Sequence, residues 1–264
     1  MKGTFKGAWH YRQFIISSIK TELLARYARS KLGLVWMLLH PLAQVAIYAF
    51  VLSVVLSTKL PGIESAYGYA SYLMAGMLAW SLFSEIVMRC LNIFLENGNL
   101  LKKLVFPKIC LPLIVSGSAL VSNIALLLAT LVVFSLFDHI PGRSLLLLPT
   151  LIALNIALAI GLGLILGILN VFIRDVGQIV PVIFQFWFWL TPIVYMSGII
   201  PERFRGWLSL NPMYPIVTAY QNVLVFGKTP YWGGLGWVSI FAAILLIMAL
   251  YMFRKASPEI VDVL

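Results

Sequence analysis

The sequence predicts an all-α polytopic membrane protein with six transmembrane helices, an N-terminal interfacial helix, and short re-entrant helices before the last span. Three observations predict this. Hydrophobic residues make up 61 % of the chain and charged residues 11 %, with a mean hydropathy of +0.97; an average soluble domain has roughly 45–50 % and about 25 %. One globular core of 264 residues cannot hide that much apolar surface, so much of the solvent must be lipid. Apolar runs also recur at about the 20-residue length that crosses the hydrocarbon. Finally, Lys and Arg gather in alternate connecting segments, as membrane topology requires.

The elements follow in order. Residues 7–31 read as an in-plane interfacial helix: Trp9, Ile16, Ile19, Leu23 and Tyr27 share one arc. Arg12 inside that arc and Arg26 at its edge would have to snorkel. The stretch "RYARSKLGLVWMLLHP", residues 26 to 41, then passes abruptly into a charge-free run reaching Ser57. The first span is therefore 34–57. No cleavable signal is expected, because the first long charge-free run starts only after residue 31. Gly33 and Pro41 permit close packing or a bend, and Trp36, His40, Gln44 and Tyr48 step by four along the helix.

The second span, 70–91, carries another ribbon: Tyr69, Tyr72, Gly76, Trp80 and Phe83. At its end Glu85, Arg89, Asn92 and Glu96 share a face. Intramembrane ions usually pair and face a bundle interior or wet cavity, and Glu85 and Arg89 have the helical spacing to do so. That buried ion pair would support the cytoplasmic half of a path, or serve as a structural salt bridge near the headgroups. A cytoplasmic loop, 96–108, leads into the third span, 109–137. This span and the fourth, 145–172, are long enough to tilt. Ala159, Gly163 and Gly167 form a tight packing face on the fourth.

The fifth span, 179–198, is short and carries Pro181 and Pro192. Its "FQFWFWLTPIVY" spreads Phe184, Phe186, Trp187, Phe188 and Trp189 round the helix. Residues 199–232 are apolar yet broken by Pro201, Pro212, Pro215 and Pro230, and read as an outer re-entrant segment; such backbone is tolerated only where protein or a wet cavity covers it. The last span is 234–253. A single ring at such depth fits an interfacial anchor, whereas ribbons on three helices favour a lined passage.

With the N-terminus inside, the cytoplasmic segments hold Lys2, Lys6, Arg12, Lys20, Arg26, Arg29 and Lys31, then Arg89, Lys102, Lys103 and Lys108, then Arg174, Arg254 and Lys255. Only Lys59, Arg143, Arg203, Arg205 and Lys228 remain for the outer side. Both termini are thus expected in the cytoplasm, and the net charge of +10 is largely a topology signal rather than a nucleic-acid footprint.

Searches for chemistry fail. Gly227-Lys228-Thr229 resembles the tail of a phosphate loop, but the glycine required five positions earlier is Asn222. His10, His40 and His139 are far apart without an HExxH, and two cysteines, Cys90 and Cys110, form neither a zinc site nor a disulfide framework. Neither a catalytic residue nor a metal site is expected. Energy for uphill movement would come from another chain.

The 26–41 stretch resembles the polysaccharide and polyol phosphate ABC exporter permeases of the O-antigen, capsule or teichoic acid type, through Arg26-Tyr27, Ser30, Leu32-Gly33, Trp36 and Pro41. So does "NLLKKLVFPKICLP", with Lys102, Lys103, Phe106, Pro107 and Pro112. "FIRD" (Phe172 to Asp175), "LTPIVY" and "LNPMYPIVTAY" follow in the family's order. The resemblance spans nearly the whole chain as a single permease domain, 1–264. It implies a homodimer of six-helix subunits in the bacterial inner membrane, docked on two ATP-binding subunits that hold ATP and Mg. The cargo implied is an undecaprenyl-linked glycan. After Asn211-Pro212 such permeases often carry an acid and a base where this chain has Thr218 and Gln221, so a charged gate interaction is not expected there.

On this reading Arg26, Arg29 and Lys31 meet the lipid pyrophosphate. Trp36, His40, Tyr48, Tyr72, Trp80 and Trp189 line the substrate path. Lys102, Lys103, Phe106 and Pro107 couple to the ATPase. Two alternatives stay open: a permease for small drugs or lipids, and a membrane-embedded transferase. The transferase would need clustered acids or a histidine in a wet cavity, for which only Glu85 and His40 are candidates.

Overall fold

Proline placement decides where the helices stop in the second half of the chain. The residue before a proline is pushed out of the helical region into extended backbone. Thr191 (φ −97, ψ 131), Ile200 (φ −74, ψ 129) and Asn211 (φ −78, ψ 112) each precede a proline, and each ends a helical segment. The computed structural model describes residues 11–27, 33–50, 66–98, 102, 109–136 and 142–263. Among these it is helical without strands: α1 (Arg12–Tyr27), α2 (Trp36–Phe50), α3 (Ala66–Glu96), α4 (Cys110–Leu136), α5 (Leu148–Phe172), α6 (Val176–Leu190), α7 (Glu202–Leu210), α8 (Met213–Leu224) and α9 (Trp232–Val263). A short 3-10 turn, Gly33–Val35, precedes α2. Gly33 has φ +51 there, a left-handed conformation that costs a side-chain-bearing residue but not glycine.

Four helical stretches among the described residues are long and apolar enough to cross a membrane: Gly68–Glu96, Cys110–Ser135, Arg143–Phe172 and Trp232–Ala256. The fifth expected span differs. Its helix, α6, has 15 residues, about 22 Å at 1.5 Å per residue, short of the roughly 30 Å of hydrocarbon. Pro192 stops it at Thr191, and the chain continues through a turn and bends to Tyr195. The last helix, by contrast, runs well past 253, through Arg254, Lys255 and Glu259. Of the first expected span, residues 51–57 lie outside the described residues.

Helix α5 is the centre, packed between α3 and α9, while α3 also contacts α4 and α8. Small residues let the backbones approach. A Cβ added at Gly167 would lie 2.3 Å from the Cys90 carbonyl oxygen, and one at Gly163 would lie 2.7 Å from the Cys90 Cβ. Buried asparagines then donate across the helices. Asn155 Nδ2 reaches the Ala79 carbonyl at 2.8 Å, Asn170 Nδ2 the Leu91 carbonyl at 2.9 Å, and Asn123 Nδ2 the Leu78 carbonyl at 2.9 Å. Where lipid tails supply no hydrophobic drive between helices, close packing and such bonds hold a bundle together. The cysteines Cys90 and Cys110 are buried free thiols.

Exposed apolar stripes mark the outer surface. On α4, Val121, Ile124, Leu128 and Val132 repeat at helical spacing. On α9, Ile240, Ile244, Ile247 and Tyr251 do the same. A soluble monomer rarely leaves such contiguous apolar surface uncovered, whereas lipid covers it without cost.

Candidate functional site

Two side-chain groupings stand out, one at each end of α3. The first is built on Arg89, near the C-terminal end of α3. Its guanidinium lies 3.6 Å from Glu85, the partner expected from the i, i+4 spacing. Stronger contacts go elsewhere. Arg89 pairs with Glu22 of α1, donates to Ser118 Oγ of α4 at 2.6 Å, and approaches the Val115 carbonyl at 3.4 Å. Ser118 Oγ in turn donates to Glu22 Oε1 at 3.2 Å. These ions are half-buried, with side-chain exposures of 22 % for Arg89, 26 % for Glu85 and 31 % for Glu22. The expected Glu85–Arg89 pair is present but half-buried, and Arg89 is also the hub of a cluster tying three helices together.

The cluster also fixes how α1 sits. Ile19 and Leu23 are half-buried, and Ile19 packs where Gly117 leaves room on α4. Ile16, expected on the same arc, is 65 % exposed. The face applied to α4 thus includes polar Ser18 and Glu22 along with Ile15 and Ile19. Sequence reasoning missed Glu22, although a signal was present: it is the sole acid in the first 63 residues, within a strongly basic segment.

The second grouping lies at the other end of α3, around the non-helical stretch after α6. Tyr69 donates to the Val194 carbonyl at 2.9 Å. Tyr72 donates toward the Pro192 and Tyr195 carbonyls at 3.3 and 3.2 Å. Buried Gln221 of α8 donates to the Pro192 carbonyl at 3.2 Å, and Ile193 fits against Gly76, where a Cβ would come within 3.1 Å of it. Asn211 binds the whole together. Its Oδ1 accepts from Trp187 Nε1 at 2.8 Å and from the Met213 amide at 3.0 Å, while its Nδ2 donates to Thr191 Oγ1 at 2.9 Å. "LTPIVY" and "LNPMYP", some 20 residues apart in sequence, are one packed unit. Gln221 serves there as an amide clasp on a proline carbonyl.

This packing changes the expectation for two path residues. Tyr72 and Trp80 are buried, 4 % and 7 % exposed, so within the subunit they line no opening. Trp80 sits in an aromatic cluster with Phe83, Phe184, Trp187 and Phe188 at centroid separations of 5.7–6.1 Å. The physical reason is that Phe184, Trp187 and Phe188 share one face of α6, which seals against α3. The opposite face of α6 leaves Phe186 and Trp189 exposed, at 68 % and 55 %. Trp36 and His40 on α2 are also exposed.

Several expected residues fall elsewhere. Arg26 lies in the last turn of α1 and Tyr48 in α2, with their side chains outside what is described; Arg29 and Lys31 lie outside the described residues. In the 96–108 loop Lys102 is exposed, and Lys103, Phe106 and Pro107 lie outside the described residues. No group of His, Cys, Asp and Glu among the described residues could hold a metal ion.

A polar hub thus locks a half-exposed helix to the bundle, and a proline-broken segment is clasped at the far end of α3. Comparison with known proteins assigns the family. Residues 13–225 match the family described as ABC-2 type transporter. The chain is 28 % identical over 256 residues to the O-antigen export system permease protein RfbA of Myxococcus xanthus, covering 96 % of each chain. It is 27 % identical to the O-antigen export system permease protein RfbA of Klebsiella pneumoniae, covering 92 % of each. With the polysialic acid transport protein KpsM of Escherichia coli it shares 22 % identity, over 88 % of this chain and 89 % of the other. The family match takes in α1, the Arg89 hub and the whole Asn211 unit: the chain belongs to the ABC-2 type transporter membrane family.

Proposed function

We propose that this chain is the membrane-spanning subunit of an ATP-driven exporter that moves a lipid-linked polysaccharide across the bacterial cytoplasmic membrane. The observation that carries this reading is the match over 96 % of both chains to an O-antigen export permease. In the working assembly two copies, each with six spans and re-entrant helices around α7 and α8, dock on two ATP-binding subunits. ATP and Mg bind in those partners, and the chain itself is no enzyme. Both termini face the cytoplasm, as the distribution of Lys and Arg favours, so the Arg89 hub lies at the inner end and the Asn211 unit at the outer end.

The undecaprenyl pyrophosphate would be met by Arg26, Arg29 and Lys31 beside α1, and the 96–108 loop with Lys102, Lys103, Phe106 and Pro107 would receive the ATPase stroke. The glycan would pass over exposed rings, Trp36 with His40 on α2 and Trp189 with Phe186 on α6. Tyr72 and Trp80 support that wall from behind. Rings suit a sliding polymer because they present apolar faces without fixing a direction of hydrogen bonding.

The test is reconstitution with the ATP-binding partner in proteoliposomes containing an undecaprenyl pyrophosphate-linked glycan. ATP-dependent transfer of the glycan to the far side is expected, with no ATP hydrolysis by this chain alone. Hydrolysis by the isolated chain, or transfer equal with and without ATP, overturns the reading. Transport of small amphiphiles in place of glycan would favour the drug or lipid permease.

A further inference from the structure

The geometry points to a binding pocket for a single neutral sugar unit between α8 and the start of α9, separate from the faces that would form the path. Helix α8 has two distinct faces. Val217, Tyr220, Gln221 and Leu224 turn inward and are buried. Tyr214, Thr218 and Asn222, four residues apart, lie on another face and line a half-open pocket completed by Tyr231, Gly234 and Trp237, with a volume of about 300 Å³. That is the lower end of the range for small-molecule sites, and a pyranose is a small ligand.

The lining chemistry selects the ligand class. Three rings, Tyr214, Tyr231 and Trp237, offer apolar faces; Thr218 and Asn222 offer a hydroxyl and an amide. The side chains of Thr218, Asn222 and Tyr231 make no hydrogen bond to other described residues, so their donors and acceptors are available to a ligand. Among the described residues no charged side chain lines the pocket, which disfavours a phosphate or carboxylate. An acyl chain would leave the Asn222 amide and the Thr218 hydroxyl desolvated and unpaired, at a cost. A sugar ring matches both sets, with C–H faces for the rings and hydroxyls for the amide and hydroxyl. The ring of Tyr231 is seated by glycines: a Cβ at Gly233 would lie 2.7 Å from the Tyr231 hydroxyl, and one at Gly234 would lie 3.2 Å from its Cδ1. Thr218 is neutral, which keeps the pocket suited to a neutral sugar.

That the sugar comes from the exported glycan rests on the export reading and on an outward-facing α8–α9 end. The pocket would then hold a unit of the emerging chain outside the path. The experiment uses the full transporter in nanodiscs free of glycolipid, probed by saturation-transfer NMR with methyl glycosides of glucose, galactose, mannose, rhamnose and N-acetylglucosamine. At least one glycoside should receive saturation, and Asn222→Ala and Tyr231→Ala should each reduce it about fivefold. Tyr251→Ala, on the exposed stripe of the same α9, should not. Absence of transfer from every glycoside, or transfer unchanged in both pocket variants, overturns the pocket. A parallel assay reads glycan export per assembled complex. Asn222→Ala should lower it severalfold with ATP hydrolysis retained; reduced binding with unchanged export shows that the sugar is not the exported glycan, and overturns that source. A wild-type complex that binds glycosides but exports no glycan leaves the pocket standing and removes the export reading instead.

Discussion

Removing the Arg89 side chain tests the hub most directly. In Arg89→Ala, Glu22 and Glu85 lose their shared cation, and Ser118 loses a charged donor. Breaking a fully buried pair costs about 3–5 kcal/mol, and a surface pair about 0–1 kcal/mol. Exposures of 22–31 % place this cluster between those limits, at about 2 kcal/mol. Because Glu22 is on α1 and Arg89 on α3, the loss should appear mainly as undocking of α1 from α4, not as collapse of the α3–α5–α9 core. A shift of about 2 kcal/mol changes the docked-to-undocked ratio roughly 30-fold. Amide hydrogen exchange of residues 15–25 in nanodiscs reads that ratio, with the α5 amides as internal reference. Exchange in α1 should accelerate by that order, while α5 remains protected. Glu22→Gln with Arg89→Gln should restore more protection than Arg89→Ala, because the carboxylate on α1 is then neutralised and only Glu85, on α3 itself, has lost its cation. Unchanged exchange in Arg89→Ala, within twofold, refutes the idea that this hub holds α1.

Three further outcomes follow from the packing. Gly167→Ala drives a Cβ into the Cys90 backbone at 2.3 Å and should lower thermal stability in detergent by about 1–3 kcal/mol, whereas Gly236→Ala, with open space around it, should leave the melting temperature unchanged. Asn211→Ala leaves Trp187 Nε1 and the Met213 amide without their acceptor, so a loss of about 1–3 kcal/mol and an altered Trp187 environment are expected by thermal melts and fluorescence. Trp80→Ala should cost about 3–5 kcal/mol and reduce assembly, whereas Trp189→Ala should preserve assembly and lower surface glycan per assembled transporter.

What the sequence determined by itself rests on signals that act locally or depend on composition. Solvent preference is a property of composition, so the membrane character was legible at once. Helix stops before Pro201 and Pro212 are steric effects of one residue on its neighbour, whereas the stop at Pro192 fell inside the expected fifth span, 179–198; the small face of Ala159, Gly163 and Gly167 follows from a helical repeat. Ordered motifs likewise sufficed to suggest the family. Tertiary structure decided which faces meet. Trp80 and Trp189 are both aromatic and both sit on apolar helices, yet one is sealed between α3 and α6 and the other is exposed. Periodicity names a face without saying what covers it. Glu22 and Arg89 are 67 residues apart, so no spacing rule could join them, whereas the partner at i, i+4 is legible from helical geometry alone. The pocket beside α8 likewise needs α9 to close it: Thr218 and Asn222 form half a site until the fold returns Tyr231 and Trp237 to their side.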